Sequence, residues 1–118
     1  MHEMGIAIQI AEIATASIPA DMKHVKVERV NLRIGKFAAV VPSSLKFCFD
    51  VVAKDTPLAG SALHIEEIPV VVSCRDCQAQ WTINEPAFQC PQCQSSAIDV
   101  ISGRELDIES IEIAEVDN

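Results

Sequence analysis

Apolar residues in this chain recur at two periods, and the switches between them divide it into elements. Between Glu3 and Ser17 they fall at Met4, Ile8 and Ala11 and at Ile6, Ile10, Ile13 and Ala14. That is a broad stripe at helical spacing, with Gln9 and Glu12 on the wetter side and Pro19 closing it, and it predicts a helix packed on a core. Pro42 to Ala53 repeats the period, with Leu45, Cys48, Phe49 and Val52 on one face. Pro42 sits in the first turn, where its missing N–H removes no helical hydrogen bond.

Elsewhere the period is two. Val25 and Val27 are followed by Val30, Leu32 and Ile34 up to Gly35; Leu63 and Ile65 by Ile68, Val70 and Val72; Leu106 and Ile108 by Ile111 and Ile113. Each run alternates as a half-buried strand does, and each slips parity once, at Glu28-Arg29, Glu66-Glu67 and Glu109-Ser110. A slip marks a bulge or a change of buried face. Three strands with matching slips are expected to be neighbours in one sheet. The plan is α+β: two helices packed on a small three-stranded sheet. Thr56-Pro57-Leu58-Ala59-Gly60 is the turn that leads into the second strand.

Four cysteines interrupt that plan. Cys74-Arg75-Asp76-Cys77 is followed, twelve residues later, by Cys90-Pro91-Gln92-Cys93. Two Cys-x-x-Cys pairs at this separation have the spacing of a zinc ribbon, in which each pair bends into a knuckle and four thiolates fill the tetrahedral shell of Zn²⁺. A shell closed by four protein ligands has no position for substrate, so this metal builds structure. The predicted insertion is a four-Cys zinc-ribbon lobe over 73–102, leaving 1–72 and 103–118 as the α+β domain. Trp81, Ile83 and Phe88 are the lobe's few large apolar residues, too few for so short a segment without a staple. The fifth cysteine, Cys48, reads as a small buried hydrophobe of the second helix.

Composition narrows the function. The 118 residues carry 9 basic and 17 acidic side chains, a net charge of −8, which repels phosphate backbones and argues against a nucleic-acid-binding ribbon. Of the basic residues only Arg75 lies between Cys74 and Cys93. No run reaches the ~20 apolar residues that span a bilayer, and Glu3, Gln9 and Glu12 break the pattern of a secretory leader. A cytoplasmic protein without membrane or nucleic-acid partners is expected. A thiol oxidoreductase would use one Cys-x-x-Cys and leave the other idle.

The first three residues, Met1-His2-Glu3, hold a second candidate site. The N-terminal amine of Met1, the backbone nitrogen of His2 and the His2 imidazole can close five- and six-membered chelate rings around one ion. Glu3 adds a backbone nitrogen and a carboxylate. Nitrogen-rich, tetragonal surroundings suit Ni²⁺ or Cu²⁺ better than Mg²⁺ or Ca²⁺. The same residues also fit a plainer reading, in which His2 is solvated and Glu3 complements the helix dipole. His24 and His64 have no ligand types at metal spacing and read as ordinary surface histidines.

Taken together the sequence resembles the HypA/HybF family of hydrogenase maturation factors, which are nickel metallochaperones. The resemblance rests on Met1-His2-Glu3, Leu32-Arg33-Ile34-Gly35, Val41-Pro42, Leu45-Lys46-Phe47, Gly60 with Leu63-His64-Ile65-Glu66, the four cysteines, and Ser102-Gly103-Arg104-Glu105-Leu106. The one departure is Ala38-Ala39, where relatives more often carry Leu-Ser. The resemblance implies no catalysis. It implies Ni²⁺ carried as cargo at the N-terminus, with His2 as the central ligand and the Met1 amine and Glu3 contributing. It also implies a structural Zn²⁺ on Cys74, Cys77, Cys90 and Cys93. The implied partners are a HypB-type GTPase, the large subunit of a nickel–iron hydrogenase and, in some members, urease maturation proteins. The rival is a zinc-ribbon interaction module in which the N-terminal histidine has no role.

Overall fold

The computed structural model describes residues 2–22, 25–85 and 88–114. Helix α1 runs over His2–Ala16, strand β1 over Val27–Gly35 and helix α2 over Pro42–Ala53. Five strands follow: β2 Ala62–Ile68, β3 Val70–Cys74, β4 Gln80–Ile83, β5 Ile98–Ser102 and β6 Leu106–Ile113. The strands form two three-stranded sheets, ordered β2-β1-β6 and β4-β3-β5. Both predicted helices and the three-stranded sheet are present.

The chain divides into two compact units. The first joins Met1–Arg33, Val40–Glu66 and Asp107–Asn118; the second joins Ile34–Ala39 and Glu67–Leu106. In the first, α1 packs on α2. The buried face of α1 is Ala7, Ile10 and Ala14 together with Glu3, a narrower stripe than its apolar positions suggest, because Ile8 and Ile13 are exposed. Helix α2 buries Leu45, Cys48, Phe49 and Ala53 on its core face, with Val52 only half-buried and Phe47 turned to solvent.

In the first sheet the predicted parity slips are present in the burial pattern. Along β1, exposed Glu28 and Arg29 separate buried Val27 from buried Val30, and alternation then resumes through Leu32 and Ile34. In β2 the buried residues Leu63 and Ile68 flank exposed Glu66 and Glu67; in β6 exposed Glu109 and Ser110 lie between half-buried Ile108 and Ile111. On the polar side, the Asn31 amide donates to Ser110 Oγ at 3.0 Å and to Glu112 Oε2 at 2.9 Å, tying β1 to β6.

The second strand of the sequence reading does not run on to Val72. It breaks at Pro69, which has no N–H to give to a ladder, and β3 begins a different sheet. There Val70 pairs with Ile83 and Ser73 with Gln80 on one side, while Val72 pairs with Val100 and Cys74 with Ile98 on the other, both antiparallel. Val70, Val72 and Ile83 form a buried cluster, and Phe37, Trp81, Ile98 and Val100 pack against it. Phe37 meets Phe88 edge-on, ring centroids 5.8 Å apart. The lobe assigned to 73–102 from the sequence thus lies within a larger unit, because Val70, Val72 and Phe37 contribute to its core.

Two glycines let backbones cross in that unit. Phe37 N donates to Gly103 O and Gly35 N to Glu105 O, each at 2.8 Å. A Cβ on Gly35 would lie 2.0 Å from the Gly103 carbonyl. Gly103 itself has a φ of +113°, and a Cβ there would meet Val70 at 2.6 Å. Only glycine fits either place.

Candidate metal centre

Strand β3 ends at Cys74, and from there two loops of the same design face each other. In the first, Cys74 N donates to Ala79 O at 2.9 Å and Gln78 N to Cys74 O at 2.8 Å. In the second, Cys90 N donates to Ser95 O and Gln94 N to Cys90 O, both at 2.9 Å. Gln78 and Gln94 both take the left-handed conformation, with φ of 66° and 60°. Each loop is therefore Cys-x-x-Cys-Gln, its glutamine turning the chain back on itself. The sequence signal for this turn is the glutamine that directly follows each Cys-x-x-Cys.

This turn aims peptide N–H groups at sulfur. Cys74 Sγ receives the N–H of Cys77 and Asp76, and Cys77 that of Ala79. In the second loop Cys90 Sγ receives the N–H of Cys93 and Gln92, and Cys93 that of Ser95. Such donors favour the thiolate over the thiol. The loops are also joined to each other: Arg75 N donates to Ala97 O at 2.9 Å, and the Ser95 hydroxyl donates to the Asp76 carboxylate while accepting from Ala97 N at 3.0 Å.

The four sulfurs lie within 4.8 Å of one another, with Cys74 to Cys93 at 3.6 Å and Cys77 to Cys90 at 3.4 Å. A tetrahedron with Zn–S bonds of about 2.3 Å has edges of about 3.8 Å. The donor set and its spacing fit a four-coordinate thiophilic ion, and all four cysteines are free of disulfides. Cys74 and Cys90 are buried; Cys77 and Cys93 are exposed.

Four close sulfurs cannot all ionise without a cation. The Cys77 N–H, helped by that of Asp76 and by the Cys93 and Cys77 thiols, brings Cys74 down to about 7 against its burial. At Cys93 the Ser95 N–H pulls downward, but burial and the sulfurs of Cys74, Cys90 and Cys77 outweigh it and push the thiol up to about 12. Cys77 is also raised: the Ala79 N–H lowers it, yet the Cys90 sulfur and burial prevail. Cys90 is lowered, since the Cys93 and Gln92 N–H groups overcome its burial. The loops thus favour one thiolate strongly and resist the last, and a divalent cation relieves that resistance.

At the head of α1, the His2 side chain is 57% exposed and its Nε2 lies 2.9 Å from Glu3 Oε2. Glu3 is buried, at 7% exposure, and the same oxygen accepts from Val41 N at 3.5 Å. The contact with Val41 has no signal in the sequence, being 38 residues away. Met1 and His24 lie outside the described residues. His64 is exposed on β2, and Cys48 is buried in α2. No helix among the described residues is long and apolar enough to cross a membrane.

An α+β core whose second unit gathers four cysteine sulfurs able to hold one metal ion defines the class as a small metal-binding protein. The family model described as "HypA: Hydrogenase/urease nickel incorporation, metallochaperone" matches residues 1–113, and the chain belongs to this family. The hydrogenase maturation factor HypA of Desulfatibacillum aliphaticivorans is 56% identical over 115 residues, covering 98% of this chain and 88% of the relative. That of Desulfosudis oleivorans is 54% identical over 115 residues, covering 98% of this chain and 100% of the relative. The solution structure of the Ni metallochaperone HypA from Helicobacter pylori shares the fold, with a TM-score of 0.63 at 23% identity over 94% of this chain and 96% of that one.

Proposed function

We propose that this chain carries Ni²⁺ on its N-terminal residues and takes part in inserting it into the large subunit of a nickel–iron hydrogenase, by ligand exchange and without catalysis. The observation that carries this reading is the place of His2: exposed, at the first position of α1, in a chain matched by the family model through residue 113. The first N–H groups of a helix have no intrahelical acceptor. A metal can therefore displace the amide protons of His2 and Glu3 without breaking a bond of the helix. Deprotonated amides are anionic, which offsets the unfavourable meeting of a cation with the positive end of the helix dipole. The Met1 amine, the His2 amide and the His2 imidazole then close five- and six-membered rings, and the Glu3 amide completes a nitrogen-rich plane suited to nickel.

A chelate at the end of a chain is reachable, and its ligands can be exchanged one at a time, as delivery requires. Cys74, Cys77, Cys90 and Cys93 would hold Zn²⁺, whose contribution there is to cross-link the two loops. The chain would work in the cytoplasm with a HypB-type GTPase and, where a urease is served, with urease maturation proteins.

The test is a titration of untagged, zinc-loaded protein with Ni²⁺, repeated with His2→Ala and with a short N-terminal extension. His2→Ala is expected to abolish nickel binding and hydrogenase maturation while leaving the far-UV spectrum and the zinc content unchanged. The extension should weaken nickel binding, because it consumes the amine. Wild-type affinity in His2→Ala would leave only a zinc-ribbon interaction module.

A further inference from the structure

The contact between His2 and Glu3 assigns a role to the Glu3 side chain, and this inference rests on the nickel reading above. Neighbouring side chains on a helix diverge by about 100°, so their meeting is no by-product of helical periodicity. Here Nε2 of His2 and Oε2 of Glu3 are 2.9 Å apart, and the carboxylate is the only buried acidic side chain among the described residues. The same Oε2 is held from the other side by Val41 N, the N-cap of α2.

Chelation fixes which imidazole nitrogen takes the metal. From the His2 amide nitrogen, the path through Cα, Cβ and Cγ reaches Nδ1 and closes a six-membered ring. Nε2 points away from the backbone and closes no such ring. With Nδ1 on the ion, Nε2 keeps its proton and donates it, and the acceptor in place is Glu3. We propose that the Glu3 carboxylate is a positioning residue for His2 and not a nickel ligand: anchored by Val41 N, it fixes the imidazole in the Nε2–H tautomer and sets its plane for Nδ1 coordination. Carboxylate partners of metal-bound histidines act in this way and tune affinity from outside the ligand shell. A dipole-complementing glutamate would instead be indifferent to His2, and a ligating one would have to leave both its present partners.

The experiment uses untagged, full-length, zinc-loaded protein titrated with Ni²⁺, as wild type, Glu3→Ala, Glu3→Gln and His2→Ala, following affinity and the visible ligand-field band. Glu3→Ala is expected to weaken nickel binding by about 10–100-fold with the band unmoved. Glu3→Gln, whose amide oxygen can still accept from both Nε2–H and Val41 N, should recover most of the loss. In the nickel-loaded wild type, ¹⁵N spectra of the imidazole should place the metal on Nδ1 and the proton on Nε2. The proposal is overturned if Glu3→Ala binds like wild type, if both Glu3 variants shift the band, or if the metal sits on Nε2. If His2→Ala binds nickel as wild type does, the nickel reading itself fails, which is a separate result.

Discussion

Loading zinc into the metal-free protein should release about three protons per ion at pH 7. Cys77, raised above 9, and Cys93, at about 12, are fully protonated there and give up one each. Cys74, at about 7, gives up about half, and Cys90, lowered from 9, adds at most one. The metal takes thiolates, so every proton still on sulfur must leave. The sign follows: as pH falls through 7, Cys74 fills as well, more protons must be displaced, and apparent zinc affinity drops. With about three protons in play, the fall is about a thousandfold per pH unit near neutrality. Calorimetric titration in two buffers of different ionisation enthalpy gives the count directly. Release of one proton or none at pH 7 would mean that the loops hold preformed thiolates, and would refute the argument from mutual repulsion of the four sulfurs.

Other perturbations separate the two units. Cys74→Ser should lose stoichiometric metal and the near-UV signal of Trp81, while far-UV dichroism keeps the contribution of α1 and α2. Gly35→Ala places a methyl 2.0 Å from the Gly103 carbonyl. Parting the strands would forfeit the bonds from Gly35 N and Phe37 N, a loss of about 2–5 kcal/mol in urea unfolding followed at Trp81. Phe49→Ala, at a fully buried position of α2, should cost about 3–5 kcal/mol in urea unfolding followed by the far-UV signal of α1 and α2, without altering metal content.

The elements legible in the sequence were those whose side chains alone report burial. The helical stripe through Leu45, Cys48 and Phe49 and the parity slip at Glu28-Arg29 are written in the order of residues, because local geometry dictates which positions meet the core. The cysteine spacing was legible for the same reason: a knuckle is a local structure. What was hidden depends on distant partners. Val70 and Val72 alternate like any strand, and only the missing N–H of Pro69 warned that they belong to another sheet. Ile8 and Ile13 share the helical period of the buried residues yet face solvent, and periodicity alone does not mark where the buried arc of α1 ends. The anchoring of Glu3 by Val41 N joins two helix starts, and no periodicity encodes it.

The two units are stitched, not strung: the polypeptide passes between them after Arg33, Ala39, Glu66 and Leu106. Neither is one continuous stretch of chain. A truncation that removed 67–106 would strand 34–39 with the Gly35 and Phe37 donors deprived of their carbonyls and the Phe37 ring stripped of its hydrophobic cover. Dissection of this protein therefore has to proceed by point substitution, with every piece of the weave kept in place.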